Sequence, residues 1–443
     1  MQTTLLYVLG ILVIALGLAI SIALHEVGHL LPAKRFGVRV SQYMIGFGPT
    51  IWSRRRGETE YGLKAMPLGG YISMSGMYPP IKPGGRARTA STGFFNTMIQ
   101  DARSASAETI PEGEADRAFY ALPVGKRLVI MAGGPLMNLL IGVVLYAILL
   151  MGFGIQQPST TIAEVSACVL PAGSEQTECL PTDPEAPGKA AGLRPGDTIL
   201  SWDGTAVTDW DQVTGLIRGS AGRTAVVEVR RGTEAVVLTL TPLLSERYVY
   251  DESGKPILGA DGEPETVAVG FIGVGPAYQS VRQSPASVLP AVGSNIASVV
   301  GVIVHLPERL VDVWNAAFGP AERDPNGPIS VVGVGRVAGE IVSIDTVAVV
   351  DRVATLIGLL ASLNIALFVF NLIPLMPLDG GHMAGALWEG IRRVLAKILR
   401  RPDPGPIDTA RLVPLTLGVV AVLGAMSVLL IYADIVKPIS LFG

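Results

Sequence analysis

The stretch Ala23–Leu31 reads ALHEVGHLL and follows an apolar run, Leu5–Leu24, that carries no charge. About 20 consecutive apolar residues are enough for a helix to cross a bilayer. His25, Glu26 and His29 therefore place three ionisable side chains at the end of a predicted membrane helix. Such residues are costly inside a membrane and usually functional. The stretch predicts a membrane protein with a polar site within it.

Three further uncharged stretches approach or exceed the length of a membrane span: 128–155, 353–373 and 412–431. Only 16% of the 443 residues are charged, against about 25% in typical soluble domains. The sequence predicts a polytopic α-helical membrane protein with four transmembrane helices. The first stretch has no basic start and no small-residue cleavage site, so we expect a retained helix and not a signal peptide.

The charge of the loops predicts their side of the membrane. Basic residues outnumber acidic ones in 34–127 and 380–411, whereas acidic residues dominate 156–351. Short basic loops stay in the cytoplasm, so both chain termini and 156–351 are predicted to be extracytoplasmic. The basic groups Arg54–Arg56 and Arg392–Arg401 are expected to bind lipid headgroups. No motif indicates nucleic-acid binding.

The segment 38–76 mixes β-branched and aromatic residues with glycines and predicts a membrane-associated β-hairpin. One strand passes through Ile51–Trp52 and the other through Tyr61–Ala65. The segment 77–126 that follows contains a stretch rich in Pro, Gly, Ser, Arg and Glu. This composition predicts a mobile cytoplasmic loop.

Within the external stretch, Ala191–Gly204 reads AGLRPGDTILSWDG. It resembles the pattern of PDZ domains, which implies one extracytoplasmic α+β PDZ domain over 160–275 that binds an extended peptide at a sheet edge. The two cysteines of the chain, Cys168 and Cys179, lie in this stretch. In an oxidising compartment we expect a disulfide between them. The alternative is two free thiols in a flexible insertion.

The pattern HExxH on a helix is a zinc-protease signature. Residues four apart share one helix face, so His25 and His29 can both direct a ring nitrogen at one Zn²⁺, while Glu26 reaches a bound water. A catalytic zinc takes three protein ligands and one water. Asp379 is the expected third ligand, because Pro374 interrupts the preceding apolar helix and lets the chain turn inward.

The segment Ser287–His305 is uncharged and long enough to be a fifth span, yet it contains Pro290 and Asn295. If it crossed the bilayer, Asp379 would emerge on the side opposite to the histidines. We therefore expect an interfacial or externally packed helix, within an extracytoplasmic region over 276–350.

The combination of HExxH with the pattern N-x-x-P-x-x-x-x-D-G at Asn371–Gly380 resembles the site-2 protease family. GGPLMN at Gly133–Asn138, GFGP and PLGGY are also similar to patterns of this family. With one PDZ domain, the chain resembles single-PDZ, actinobacterial-type members of the regulator-of-sigma-E protease group. This interpretation predicts the four transmembrane helices at 1–33, 127–156, 352–382 and 411–434.

The resemblance implies an intramembrane endopeptidase of a bacterial plasma membrane. Its substrates would be single-span membrane proteins, such as anti-sigma factors, already shortened outside. Glu26 would be the catalytic base. The hairpin would hold an extended substrate at an unpaired edge, and we expect Tyr61, Leu63, Gly69, Gly70 and Asn371 to contact it. Two alternatives remain: a membrane zinc-binding or transport protein, and an inactive PDZ adaptor.

Overall fold

The computed structural model describes residues 2–79, 94–111, 113–170, 173–174, 176, 178–250, 256–259, 263–324 and 327–439. The chain divides into two compact units. Unit one comprises Met1–Phe153 and Gln283–Gly443, and unit two comprises Gly154–Arg282. Unit one carries long apolar helices, whereas unit two is built mainly of strands.

The helices of unit one share an apolar composition, and five of them are long and apolar enough to cross a membrane. These five candidates lie at Thr3–Arg35, Val124–Phe153, Pro285–Val304, Val349–Asn371 and Thr409–Val436. The helices and strands of unit one are α1 (Gln2–Arg35), β1 (Val40–Arg56), β2 (Thr59–Met74), α2 (Phe94–Glu108), α3 (Val124–Ala147), α6 (Val288–Val304), α7 (Leu306–Phe318), α8 (Val331–Ser343), α9 (Val349–Asn371), α10 (Asp379–Ile398) and α11 (Val413–Val436).

Helices α1 and α9 run in the same direction. Gly17 faces the Leu360 side chain, and four positions further along each helix the Asn364 side-chain amide donates to the Ser21 hydroxyl at 3.0 Å. Helix α3 contacts both of them. Because α1 and α9 are parallel, their carboxyl-terminal ends lie at the same end of the helical bundle.

Helix α6 contains the ambiguous apolar segment. The backbone N–H of Gln283 bonds to the Leu150 carbonyl at 2.8 Å, so the chain returns to unit one at the end of the bundle where it left. Asn295 of α6 then donates to Ser362 of α9 at 3.1 Å. By length and hydropathy alone, α6 is a fifth candidate span beside the four that the sequence predicts.

Residues 94–108 form a helix, so the prediction of a mobile loop over 77–126 is wrong for this part; 80–93 and 112 lie outside the described residues. Helix α2 contacts α11. Arg103 pairs with Asp408, and the buried hydroxyl of Ser106 accepts the Tyr78 backbone N–H at 2.9 Å. These polar partners fix a segment whose composition alone indicated disorder.

Strands β1 and β2 are longer than predicted and bend sharply, so that each contributes two segments to one sheet. The bends occur at Gly46 and Gly69, whose φ angles of +92° and +104° favour glycine. The register gives the order 50–56, 59–64, 42–45, 70–74. Within the described part of the chain, 70–74 is therefore an edge of this sheet.

Helix α9 ends at Asn371, and α10 begins at Asp379 after a turn that contains Pro374 and Pro377. The predicted span 352–382 is therefore shorter, because the prolines end the helix. Gly380 lies against this turn, and a Cβ there would come within 2.3 Å of the Ile373 carbonyl oxygen. The absence of a side chain lets the first turn of α10 fold back on the end of α9.

Unit two is built mainly of short strands. Its elements are β3 (Ile155–Val165), α4 (Pro187–Ala190), β4 (Thr198–Trp202), β5 (Thr205–Ala206), α5 (Trp210–Gly219), β6 (Ala225–Arg231), β7 (Glu234–Leu240), β8 (Leu243–Tyr248), β9 (Thr266–Phe271) and β10 (Val274–Val281). One sheet has the strand order β10-β3-β4-β6-β7, with β5 paired to β4, and β8 and β9 form a separate pair. Trp202 and Val213 are among the fully buried core residues. Cys168 and Cys179 form a disulfide.

Candidate metal centre and active site

The two histidines of the HExxH motif lie one turn apart on α1 and are buried, with 9% and 5% of their surfaces exposed. The α-helical repeat of 3.6 residues places positions i and i+4 on one face. Their Nε2 atoms are 3.2 Å apart. Both ring nitrogens therefore face the same small volume.

Asp379 at the start of α10 completes a triangle. Its Oδ2 atom lies 3.4 Å from His25 Nε2 and 3.3 Å from His29 Nε2. Tetrahedral zinc ligands at about 2.0–2.2 Å from the metal lie about 3.3–3.6 Å from one another. The three atoms match this spacing, so the donor set and its geometry fit one zinc ion with a fourth position open.

Helix α3 shapes the other side of this volume. The Ile130 carbonyl lies 2.7 Å from His29 Nδ1, and it accepts the Nδ1–H, which leaves Nε2 free for a metal. A Cβ on Gly134 would lie 2.2 Å from His29 Nε2 and 2.7 Å from His25 Nε2. Only glycine at this position keeps the space in front of both nitrogens open.

Glu26 is 9% exposed and lies between the metal-facing atoms and the β-sheet. The Ile72 backbone lies next to its carboxylate. Its Cγ atom lies 3.1 Å from the position of a Cβ on Gly70. The edge strand 70–74 therefore borders the carboxylate directly. The metal-facing triangle does not include Glu26.

The family model described as "Peptidase family M50" matches residues 13–399. The chain belongs to peptidase family M50, the site-2 proteases. The chain is 34% identical over 445 residues to the zinc metalloprotease Rip1 of Mycobacterium tuberculosis, and the alignment covers 99% of this chain and 100% of the relative.

Two more relatives show the same relationship. The zinc metalloprotease Rip1 of Mycolicibacterium smegmatis is 32% identical over 98% of this chain and 99% of its own. The metalloprotease MmpA of Caulobacter vibrioides is 27% identical over 85% of both chains. This M50 family member is therefore a zinc metalloprotease, and its long apolar helices make it a multi-pass membrane protein.

Two of the predicted substrate contacts lie in an inner strand of the sheet. Tyr61 pairs with Tyr43 on one side and Arg54 on the other, and Leu63 likewise has partners on both sides. The prediction that they belong to an unpaired edge is therefore wrong, because β1 folds back to cover that side. Gly69 instead lies at the bend before the segment 70–74, and Gly70 begins this segment, which is one of the two edges of the sheet among the described residues; the other is 50–56.

Other predicted residues have less decisive positions. Asn371 is the half-buried last residue of α9, and the turn 372–378 separates it from Asp379. His305 is exposed, and its Nδ1 lies 2.9 Å from the Gly301 carbonyl oxygen. His305 and His382 lie outside the metal-facing triangle.

Helix α3 contributes residues that sequence reasoning assigned no role at the site. The Ile130 carbonyl and the bare backbone of Gly134 act through the main chain. Gly134 belongs to GGPLMN, which is similar to a pattern of the site-2 protease family and to which no site role was assigned. Asn138 is 1% exposed, and neither atom of its amide has a hydrogen-bond partner within the described residues. Its signal in the sequence is a polar residue inside an otherwise apolar span.

Unit two contains a cavity of about 440 Å³ between α5, β8, β9 and the start of β10. Trp210 and Ile217 line one wall. The Arg247 guanidinium lies 3.6 Å from the ring centroid of Phe271, and its Nε and Nη2 have no hydrogen-bond partner in the described part of the chain. Burial lowers the pKa of Arg247, but arginine remains charged at neutral pH.

Proposed function

We propose that this M50 protease hydrolyses a peptide bond within or near the membrane-spanning helix of its substrate. The supporting observation is the triangle of His25, His29 and Asp379, which lies where two parallel apolar helices end. These three residues would hold one zinc ion. The neighbouring sheet edge 70–74 would present a substrate chain to these residues.

The chemistry follows from the positions of the side chains. When bound, zinc lowers the pKa of water and polarises a carbonyl group. Glu26 is the general base: it accepts the proton of the attacking water and delivers it to the departing amine nitrogen. The Ile72 backbone lies next to this carboxylate at the edge of the site. A low-exposure position for Glu26 limits its contact with bulk water.

A substrate helix must be unwound before attack, because its carbonyls are engaged in hydrogen bonds. We infer that 70–74 adds the unwound substrate as a further strand, since this edge lies beside Glu26. Backbone pairing would hold the chain extended with little dependence on its side chains. Asn371 is proposed to contact the substrate from the end of α9.

We further propose four complete spans, at α1, α3, α9 and α11, with both termini and unit two outside the cytoplasm. The charge distribution supports this orientation. The chain leaves the bundle after α3 and returns to it before α6 at the same end. The segment 283–348 therefore begins and finishes at that end, where α9 starts. A reporter fused near residue 320 that proved to be cytoplasmic would contradict this topology.

The proposed substrates are single-span membrane proteins of the anti-sigma-factor type that another protease has first cut outside. Unit two is proposed to be a PDZ domain that reads their new carboxyl ends. Strand β10 ends the strand order of the described sheet, and its first residue Val274 lies next to α5. This part of β10 is proposed to pair with the peptide, and Arg247 to offer a cation for the terminal carboxylate. Basic side chains of α10 and β1 are proposed to contact lipid headgroups.

Glu26→Gln tests the function. In the full-length protein, this variant should keep its zinc and lose cleavage of a co-expressed single-span substrate by about 10²–10⁴-fold. It should also retain uncleaved substrate in a pull-down, which would identify it. Full cleavage by the variant would refute the assigned role of Glu26. If the variant instead loses zinc, and the unsubstituted protein transports zinc, the result would support a zinc transporter. Retained zinc with no trapped substrate would support an adaptor.

A further inference from the structure

Two buried polar groups next to the metal-facing atoms have no partner within the described residues. One is Nδ1 of His25, and the other is the whole side-chain amide of Asn138 in α3. An unpaired buried donor or acceptor costs about 1–3 kcal/mol. In an apolar helix bundle this cost is avoided only when such groups bind each other, directly or through water.

His29 shows what a metal-facing histidine requires. Its Nδ1–H is held by the Ile130 carbonyl at 2.7 Å. A hydrogen bond on the ring nitrogen that does not bind metal fixes the tautomer and the orientation of the imidazole. His25 faces the same volume and needs an equivalent acceptor. The carbonyl that serves His29 is already engaged, so a second group has to serve His25.

The register of α1 and α3 brings Asn138 to the level of His25. The two helices are antiparallel, since Gly28 meets Gly133, and the next turn of α3 presents Gly134 to the imidazoles. His25 lies one turn before His29 on α1. Asn138 lies one turn beyond Gly134 on the same face of α3. Because the two helices are antiparallel, one turn back along α1 and one turn forward along α3 reach the same depth in the bundle.

The competing side chains near this depth are Ser21 of α1 and Asn364 of α9, and of their acceptors the Asn364 Oδ1 is also buried without a partner in the described residues. The hydroxyl of Ser21 accepts from the Asn364 amide and donates to the Gly17 carbonyl. The other amide hydrogen bond of Asn364 goes to the Leu360 carbonyl at 2.8 Å. Asn138 is the side chain of α3 that combines burial, a free acceptor and the correct level.

We propose that Asn138 is a positioning residue for His25: its Oδ1 accepts the His25 Nδ1–H through one buried water. The bridge is needed because the two groups form no direct hydrogen bond. It holds His25 in the tautomer that presents Nε2 to zinc. The proposal rests on the assignment of His25 as a ligand. Asn138 itself touches neither metal nor substrate.

The experiment measures zinc affinity of the full-length protein in detergent, by competition with a chelator, and the absorption spectrum after Co²⁺ replaces zinc. Asn138→Leu removes the polar atoms at similar volume, and Asn138→Asp keeps an acceptor. Asn295→Leu is the matched control, since Asn295 also bonds between two apolar helices but pairs with Ser362. His25→Ala tests the ligand assignment separately.

We expect N138L to bind zinc about 10–100-fold more weakly, with an altered Co²⁺ spectrum. N138D should stay closer to the unsubstituted protein, and N295L should not differ from it. Equal zinc affinity of N138L and the unsubstituted protein would overturn the proposal. If N138L does not fold, a tenfold loss in folded N138D would overturn it, and retained affinity would support it. Unchanged zinc binding by H25A would instead refute the proposed metal site.

Discussion

Gly28 of α1 and Gly133 of α3 meet backbone to backbone beside the metal-facing histidines. A Cβ on Gly28 would lie 2.2 Å from the Gly133 carbonyl oxygen, and a Cβ on Gly133 would lie 2.0 Å from that of Gly28. Small residues permit such approach between membrane helices. The contact sets the separation at which the Ile130 carbonyl reaches His29.

We expect Gly28→Ala to push the helices apart and to lower zinc affinity and protease activity together. The forced separation should cost about 1–3 kcal/mol. Zinc content of the purified variant and its thermal unfolding are the measurements. Gly424→Ala in α11 is the control, because a Cβ there has no heavy atom within 4 Å. Full zinc occupancy in G28A would show that the contact does not set the site.

Gly134→Ala tests the space in front of the ring nitrogens without changing any proposed ligand. We expect loss of zinc binding with normal membrane insertion, since the new methyl would overlap the metal-facing side of both imidazoles. Gly152→Ala is the control, because Gly152 lies in the same candidate span and a Cβ there has no heavy atom within 4 Å. G134A with ordinary zinc affinity would contradict the described geometry.

Ile72→Pro removes one N–H from the edge strand beside Glu26. Proline is tolerated at a sheet edge but cannot donate a hydrogen bond. We expect cleavage to fall at least tenfold, while zinc affinity changes little. Ile72→Ala, which shortens the side chain and keeps the N–H, should retain most activity. If I72A and I72P lose activity equally, side-chain packing and not the backbone edge is what matters.

The Arg231–Asp197 ion pair predicts a pH dependence for unit two. Asp197 is 1% exposed, and two hydrogen bonds from Arg231, at 2.7 and 2.8 Å, hold the pKa of its carboxyl below the usual range. Its stabilisation is therefore complete above the unfolded carboxyl pKa of about 3.9. It is lost as the pH falls through the lower pKa of the folded state.

We expect Asp197→Asn to destabilise unit two at pH 7 by about 1–3 kcal/mol and to differ less from the unsubstituted protein in strong acid. Urea unfolding followed by the fluorescence of the buried Trp202, with the other tryptophans replaced by phenylalanine, measures this. A difference that stays constant from pH 7 to pH 2.5 would argue against the ion pair as its source.

Arg247→Met should weaken binding of a peptide with a free terminal carboxylate about tenfold, because a charge-assisted hydrogen bond is lost. Amidation of the peptide should have the same effect on the unsubstituted protein and none on R247M. Fluorescence anisotropy measures the affinities. Arg230→Met, at an exposed position in β6, controls for net charge. Equal binding of free and amidated peptides would exclude carboxylate recognition.

Short stretches of the sequence indicate the two histidines and the apolar helices of this M50 protease. HExxH fixes its two histidines on one helix face through the helical repeat, and the uncharged runs fix the apolar helices through their length. The prolines before Asp379 fix the end of α9, because a proline cannot continue the hydrogen-bond ladder. These properties are local, so a single stretch of chain is enough to reveal them.

The groups that surround the two histidines come from distant parts of the chain. The Ile130 carbonyl and the bare backbone of Gly134 act without side chains, and the packing of α3 alone brings them to the imidazoles. An edge of the sheet lies at 70–74 and not at Tyr61, because β1 bends at Gly46 and pairs on two sides. Helix α2 likewise depends on partners distant in sequence, such as Asp408. Long-range contacts of this kind leave no periodic or compositional trace in the chain.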